Sequence, residues 1–227
     1  MNYMAFAGVN NLQTGAIITT MPNFPVPAER GEAVEIAGRD GTVWKSEGSY
    51  DDISLVPTLY IPPEKIQVVR AWLTGEGELE FEQDAASYYK ARISGGVEYT
   101  PLDFNAGYQA SIPFECQPFR YVRSAPTVSI TASGTVVINP HTVFSEPLIH
   151  IYGAGNGTMT IGGVTFTITN IVNGMLIDCE AKEAYSGAVA LNDRMAGGFP
   201  VLAAGENTII FSGGIGQVDI ETRWRML

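Results

Sequence analysis

The chain has 227 residues, 45% of them hydrophobic and 16% charged, and its 24 acidic side chains against 13 basic ones give a formal net charge of −11. That length suits one large β domain or two small ones. The acidic balance speaks against nucleic-acid binding, because phosphate backbones are held by Lys and Arg. Neither half is a basic module: residues 1–125 carry 16 acids and 9 bases, and residues 126–227 carry 8 acids and 4 bases.

The 25 glycines and 13 prolines fall between short apolar runs, the pattern of a mainly β protein with many turns. Met21-Pro22-Asn23-Phe24-Pro25-Val26-Pro27 reads as an extended, proline-stiffened segment. Ala33–Ala37 and Thr42-Val43-Trp44 read as strands joined by the turn Gly38-Arg39-Asp40-Gly41, where glycine accepts positive φ. Ile53–Ile61 alternates as a strand, and Pro57 places it at a sheet edge. One helix stands out, over about 62–74. Pro62-Pro63-Glu64 suits a first turn, Ile66, Val69 and Leu73 share a face, and Gly75 stops it. Strands then follow at Glu78–Glu82, Tyr88–Ile93 and Tyr108–Ile112, and Arg120 to Pro126 reads as a linker.

After the linker the pattern is almost pure β: Ser129–Thr131, Val136–Ile138, Leu148–Tyr152, and a hairpin of Met159–Ile161 and Val164–Ile168 about Gly162-Gly163. Asn173-Gly174 predicts a further turn before Met175–Asp178, and Thr208–Phe211 and Val218–Trp224 close the chain. Strands at this spacing imply a β-sandwich or jelly roll. The expected organisation is therefore a first β domain over 1–125 with one helix, and a β-sandwich over 126–227.

Candidate chemistry is sparse. His150 alternates with Ile149 and Ile151 on a strand and, like His141, has no evident partner for a triad or a zinc site. Glu76, Glu78, Glu80 and Glu82 share one strand face. Their spacing of roughly 6–7 Å could serve a glycosidase, but a solvated face that discourages edge-to-edge association is the simpler reading. Gly153-Ala154-Gly155-Asn156-Gly157 superficially resembles a phosphate-binding loop, yet a strand follows it rather than a helix, so Asn156-Gly157 reads as a turn. Asp178, Glu180, Lys182 and Glu183 could hold a cation or a sugar; surface charges at a strand end are the simpler expectation. Cys116 and Cys179 belong to no C-x-x-C pair and read as small buried hydrophobes. The opening MNYMAFAGVNN is unlike a signal peptide, and no run approaches the roughly 20 apolar residues of a membrane helix. No catalytic residue, cofactor or metal site is expected.

Several of these segments together resemble the distal tail (Dit) proteins of long-tailed bacteriophages. Gly38-Arg39-Asp40-Gly41 looks like that family's turn, and Trp72-Leu73 with Gly75-Glu76-Gly77-Glu78-Leu79 is similar to its "WL-x-G-x-G-x-L" segment. Tyr89 and Arg92 sit in a "Y-x-A-R"-like strand, and Phe114, Cys116, Pro118 and Phe119 in an "F-x-C-x-P-F-x-Y"-like one. Pro147–Gly155, Ile177-Asp178-Cys179-Glu180, Asn192, Phe199–Leu202 with Gly205-Glu206-Asn207, and Arg223-Trp224-Arg225 resemble successive parts of the family's C-terminal domain; the opening Ala5–Asn10 fits only loosely. The resemblance implies a galectin-like C-terminal sandwich and a hexameric ring formed by the N-terminal domain. It implies a virion location at the tail's end, between the tail tube and the tip or baseplate, with a receptor-binding protein as a further partner. No stable DNA binding and no membrane insertion are expected. The alternative is a carbohydrate-binding module.

Overall fold

The computed structural model describes residues 2–172 and 174–227. The chain divides into two compact units, one running to Arg120 and taking in Leu227, the other Tyr121–Met226. Both are mainly β, and all the strand pairings given for them are antiparallel.

In the first unit one sheet runs in the order Val9–Asn10, Met4–Phe6, Glu76–Phe81, Ser87–Ile93, Phe114–Val122, with Ile53–Leu55 also on the last strand. A second sheet orders Thr100–Pro101, Tyr108–Ser111, Thr58–Ile61 and Ile17–Thr20. Their inward positions, among them Phe6, Leu59, Ile61, Leu79 and Phe114, make one buried cluster, with Ile112 from the connection between Tyr108–Ser111 and Phe114–Val122. The expected strand Ile53–Ile61 is thus two strands in two sheets. Pro57 breaks the ladder rather than marking an edge, since Thr58–Ile61 pairs on both sides. A third sheet is the hairpin of Glu29–Glu35 and Thr42–Tyr50, whose tip places Gly38 (φ +81°) and Gly41 (φ +76°) in the left-handed region, as the turn reading requires.

The helix forms as expected but is shorter. A 3₁₀ turn at Pro63–Lys65 leads into Ile66–Trp72, Leu73 caps it, and Ile66, Val69, Trp72 and Leu73 are buried. A four-residue helix at Asn11–Thr14 escaped the sequence reading. Asn10 and Gln13 cap it reciprocally, each side chain accepting from the other's backbone N–H at 2.8 and 3.0 Å. Of the expected linker, Arg120–Val122 belong to the strand Phe114–Val122.

The second unit is organised by two long strands, Leu148–Ile161 and Gly205–Glu221, paired along most of their length. One end carries Thr127–Ile130 and Met175–Asp178; the other carries Thr135–Asn139 and Val164–Ile171. Asn156-Gly157 is not a turn, then, but lies in an irregular stretch inside the strand Leu148–Ile161, where the register shifts twice. The bulged backbones approach so closely that a Cβ on Gly153 would lie 2.0 Å from the Gly214 carbonyl oxygen, and one on Gly214 would lie 1.8 Å from that of Ala154. Val218–Trp224 is likewise corrected: the strand ends at Glu221, and Trp224 is buried beyond it. The Gly162-Gly163 hairpin forms as expected. The turn expected at Asn173-Gly174 falls in part on Asn173, outside the described residues.

Candidate functional site

Trp72, Leu73, Tyr89, Phe114 and Cys116 converge in the first unit's core. The Trp72 indole N–H donates to the Phe6 carbonyl at 3.0 Å, tying the helix to the first strand, and the Phe114 ring packs on Phe6 with centroids 5.0 Å apart. Burial pushes the Tyr89 phenol above its ordinary range, and pushes both thiols, Cys116 and Cys179, up to about 12. Both cysteines are free and buried, so they pack as the sequence suggests. Phe119 meets Tyr50 edge-to-face at 5.6 Å. Gly38, Arg39, Asp40 and Gly41 lie apart from these, exposed at the hairpin tip.

The glutamate row takes on a different character in the sheet. Glu76 stands opposite Arg92, and Glu78 opposite Lys90, on the neighbouring strand. Arg92 also pairs with Glu115 at 2.8 Å. Acidic and basic rows thus alternate across the sheet, which lowers the repulsion that a bare row of carboxylates would carry. The strand is internal, between Met4–Phe6 and Ser87–Ile93, so the edge-protection reading is replaced by cross-strand charge matching.

Asp178 in the second unit is more than a surface charge. Its carboxylate accepts two hydrogen bonds from Arg223, at 2.9 and 3.2 Å, and the backbone N–H groups of Glu180 and Ala181, both at 3.0 Å. Burial alone would raise its pKa, but Arg223 and these amides outweigh it and hold the carboxyl below the usual range. Nearby, Glu146 takes ion pairs from Lys182 at 2.8 Å and from Arg225 at 3.1 Å, and the Arg225 guanidinium lies 4.3 Å from the Phe144 ring centroid. These charges neutralise one another. Asn207 is buried, and its amide holds a loop. It accepts from the Ala203 N–H at 2.8 Å and donates to the carbonyls of Ala203 at 2.9 Å and Gly205 at 3.0 Å.

One arrangement was not visible in the sequence. On the outward side of the second unit's sheet, Ser129, Asp219, His150, Leu176 and Tyr185 form a single cross-strand row. Tyr152 stacks beside His150 with centroids 4.6 Å apart, its hydroxyl 3.1 Å from Nδ1. Gln217 donates to Asp219 at 2.9 Å, and this bond with those from Ser129 and Tyr152 keeps the Asp219 carboxyl low. His150 thus has polar neighbours after all: Tyr152, two residues along the same strand, and Asp219, which only the register with Gly205–Glu221 brings opposite it.

Among the described residues no group of three or more His, Cys, Asp or Glu is placed to hold a metal ion, and no helix is long and apolar enough to cross a membrane. A cavity of about 330 Å³ in the first unit is lined by Phe24, Val26, Leu79, Phe81, Pro118 and Arg120, among others.

No protein-family model matches the chain, and a search of curated proteins finds no match either. Solved structures do match. The phage SPP1 Dit protein, described as a paradigm of the hub adsorption apparatus in phages infecting Gram-positive bacteria, superposes with a TM-score of 0.77 at 15% identity over 100% of both chains. A chain of the phage p2 baseplate, in its activated conformation with strontium, superposes with a TM-score of 0.51 at 10% identity over 97% of both. The chain therefore shares, over its whole length, the fold of a phage Dit hub protein, in line with the resemblance seen in its motifs.

Proposed function

We propose that this chain is a structural component of a bacteriophage or prophage tail, the distal hub that links the tail tube to the tip or baseplate. The full-length fold match carries the reading. The motif residues agree with it. Of these, Trp72, Leu73, Tyr89, Phe114, Cys116 and Phe119 are buried and pack, four form the exposed turn, and others serve ion pairs and a loop clamp, as expected of a scaffold rather than an enzyme. In this reading the first unit, with the ring domain expected over residues 1–125, closes a homohexamer. Rings need heterologous contacts between different patches of the same unit. The second unit, with the galectin-like sandwich expected over residues 126–227, presents partner proteins of the host-recognition apparatus. Class averages of tails labelled on this chain test the role: six copies at the tube's distal end support it, and label elsewhere on the particle or absent from it overturns it.

One observation favours a second reading, a carbohydrate-binding module. The Tyr152–His150 stack beside Asp219, Gln217 and Ser129 puts an aromatic ring among hydrogen-bonding groups on an outward face. Glycan-array binding that is lost in Tyr152→Ala would favour it.

A further inference from the structure

Phe104 stands out on the first unit. Its side chain is fully exposed, and its backbone is left-handed at φ +60°, followed by Asn105 at φ +57°. A left-handed bulky aromatic is a real outlier, and such strain persists only where its surroundings enforce it. Here they do. Leu102 N–H donates to the Gly107 carbonyl at 2.9 Å, Ala106 N–H to that of Asp103 at 3.2 Å, and the Tyr60 hydroxyl to that of Ala106 at 2.7 Å. The loop is therefore clamped, with a phenyl ring held in water at its tip. Rigid aromatic anchors of this kind carry much of the binding energy in protein interfaces when they enter a pocket.

The same unit carries such a pocket. The 330 Å³ cavity beside Phe24–Pro27 is lined mostly by apolar side chains, and Phe24 meets Phe81 edge-on at 5.4 Å. For scale, an engineered apolar cavity of roughly 150 Å³ takes up benzene. Charge also matches. Asp103, next to the knob, is exposed, and Arg120 at the pocket donates to Asp84 at 2.8 Å and to the Leu227 carbonyl at 2.7 Å. A guanidinium has five N–H donors, so it can take a further carboxylate. The second unit's apolar groove, along Val128, Val136, Ile138 and Trp224, has no charged residue in its lining.

We propose that Phe104 seats in the Phe24–Pro27 cavity of a neighbouring copy of this chain, with Asp103 facing that copy's Arg120. The pairing rests on the ring reading above and deepens it. Knob and pocket are different patches of one unit, which is the heterologous geometry a closed ring requires.

The test uses the full chain. Sedimentation of the wild type, Phe104→Asn and Asp103→Lys measures self-association. Asn tolerates the left-handed backbone, so Phe104→Asn removes the ring without unfolding the loop. Loss of an interface anchor predicts association weakened about 30-fold or more in Phe104→Asn, and weakened to a smaller degree in Asp103→Lys. In parallel, Phe104→p-benzoylphenylalanine keeps an aromatic knob and is photo-crosslinked. Adducts on residues 24–27 or Phe81 of another molecule are expected. Wild-type oligomers that survive Phe104→Asn unchanged, or adducts that land on Val136 or Ile138, overturn this pairing and leave the ring. A wild type that is monomeric at its highest soluble concentration, with no intermolecular adduct, overturns both.

Discussion

Asp178 and Arg223 meet through two hydrogen bonds of 2.9 and 3.2 Å, and Arg223 holds this pose from a left-handed backbone at φ +46°. The strand Gly205–Glu221 has just ended, and this pair anchors the tail of the chain to the turn after Met175–Asp178. Arg223→Ala leaves a half-buried carboxylate with only its two backbone donors and keeps the strained φ. Loss of hydrogen bonds to a charged group predicts about 1–3 kcal/mol of destabilisation. Arg223→Gly relieves the backbone and should cost less than Arg223→Ala. Chemical denaturation of both variants checks the order; a glycine variant weaker than the alanine one would show that the left-handed backbone at this position stores no strain.

The same pair sets an acid dependence. The folded Asp178 carboxyl is held below its ordinary value of 3.8. Its stabilisation is therefore complete above the unfolded pKa and is lost as pH falls through the lower folded value. Unfolding midpoints for the wild type and Asp178→Asn should differ at pH 6 and draw together as pH falls below the ordinary value of 3.8 and through the lower folded one. A gap of constant size across that range would show that Asp178 acts by shape alone.

Leu73→Ala removes a buried branched side chain at the end of the helix Ile66–Trp72. Large-to-small changes of this kind typically cost about 2–5 kcal/mol. An unchanged denaturation midpoint would mean that the helix face does not contribute to the core as its burial indicates.

Cys116 and Cys179 are buried and their thiols are pushed up to about 12. At pH 8 only about one thiol in ten thousand is then ionised, and the thiolate is the reactive form. A thiol-specific reagent should label neither cysteine in the native chain and both in denaturant. Rapid labelling of the native protein would show that one of the two units opens readily.

The helix was legible because its signal is local: Ile66, Val69 and Leu73 fall on one face within two turns. So were the hairpin about Gly38-Arg39-Asp40-Gly41 and the turn at Gly162-Gly163. Asn156-Gly157 misled because Asn-Gly is a strong local turn signature, yet here the neighbouring strands pair on both sides and force a bulge instead. Pro57 misled in the opposite way, since one residue ended a strand whose two halves belong to different sheets. The partners of Glu76 and Glu78 depend on the register of the adjoining strand Ser87–Ile93, and the pairing of His150 with Asp219 depends on register between strands far apart in sequence. No local pattern carries that information.

In the proposed role the chain would surround duplex DNA, which carries about one negative charge per 1.7 Å of axis, and a collar of lysine or arginine would hold it back. The chain has 13 bases against 24 acids, so a basic collar could arise only if a few arginines converged unpaired. Arg30, Arg39, Arg70 and Arg92 of the first unit are candidates. Arg30 is tied to Asp51 at 2.6 Å and Arg92 to Glu115 at 2.8 Å, while Arg70 lies 4.9 Å from the Tyr99 ring centroid. Arg39 sits next to Asp40 at the exposed hairpin tip. A cation neutralised by its own carboxylate releases few counterions from DNA, so it adds little to binding. The expected outcome is no duplex binding in a gel shift at physiological salt, and only weak, non-specific retention at low salt. Binding tighter than about micromolar with a steep salt dependence would show that the assembled chain gathers its bases into a surface that the net charge conceals.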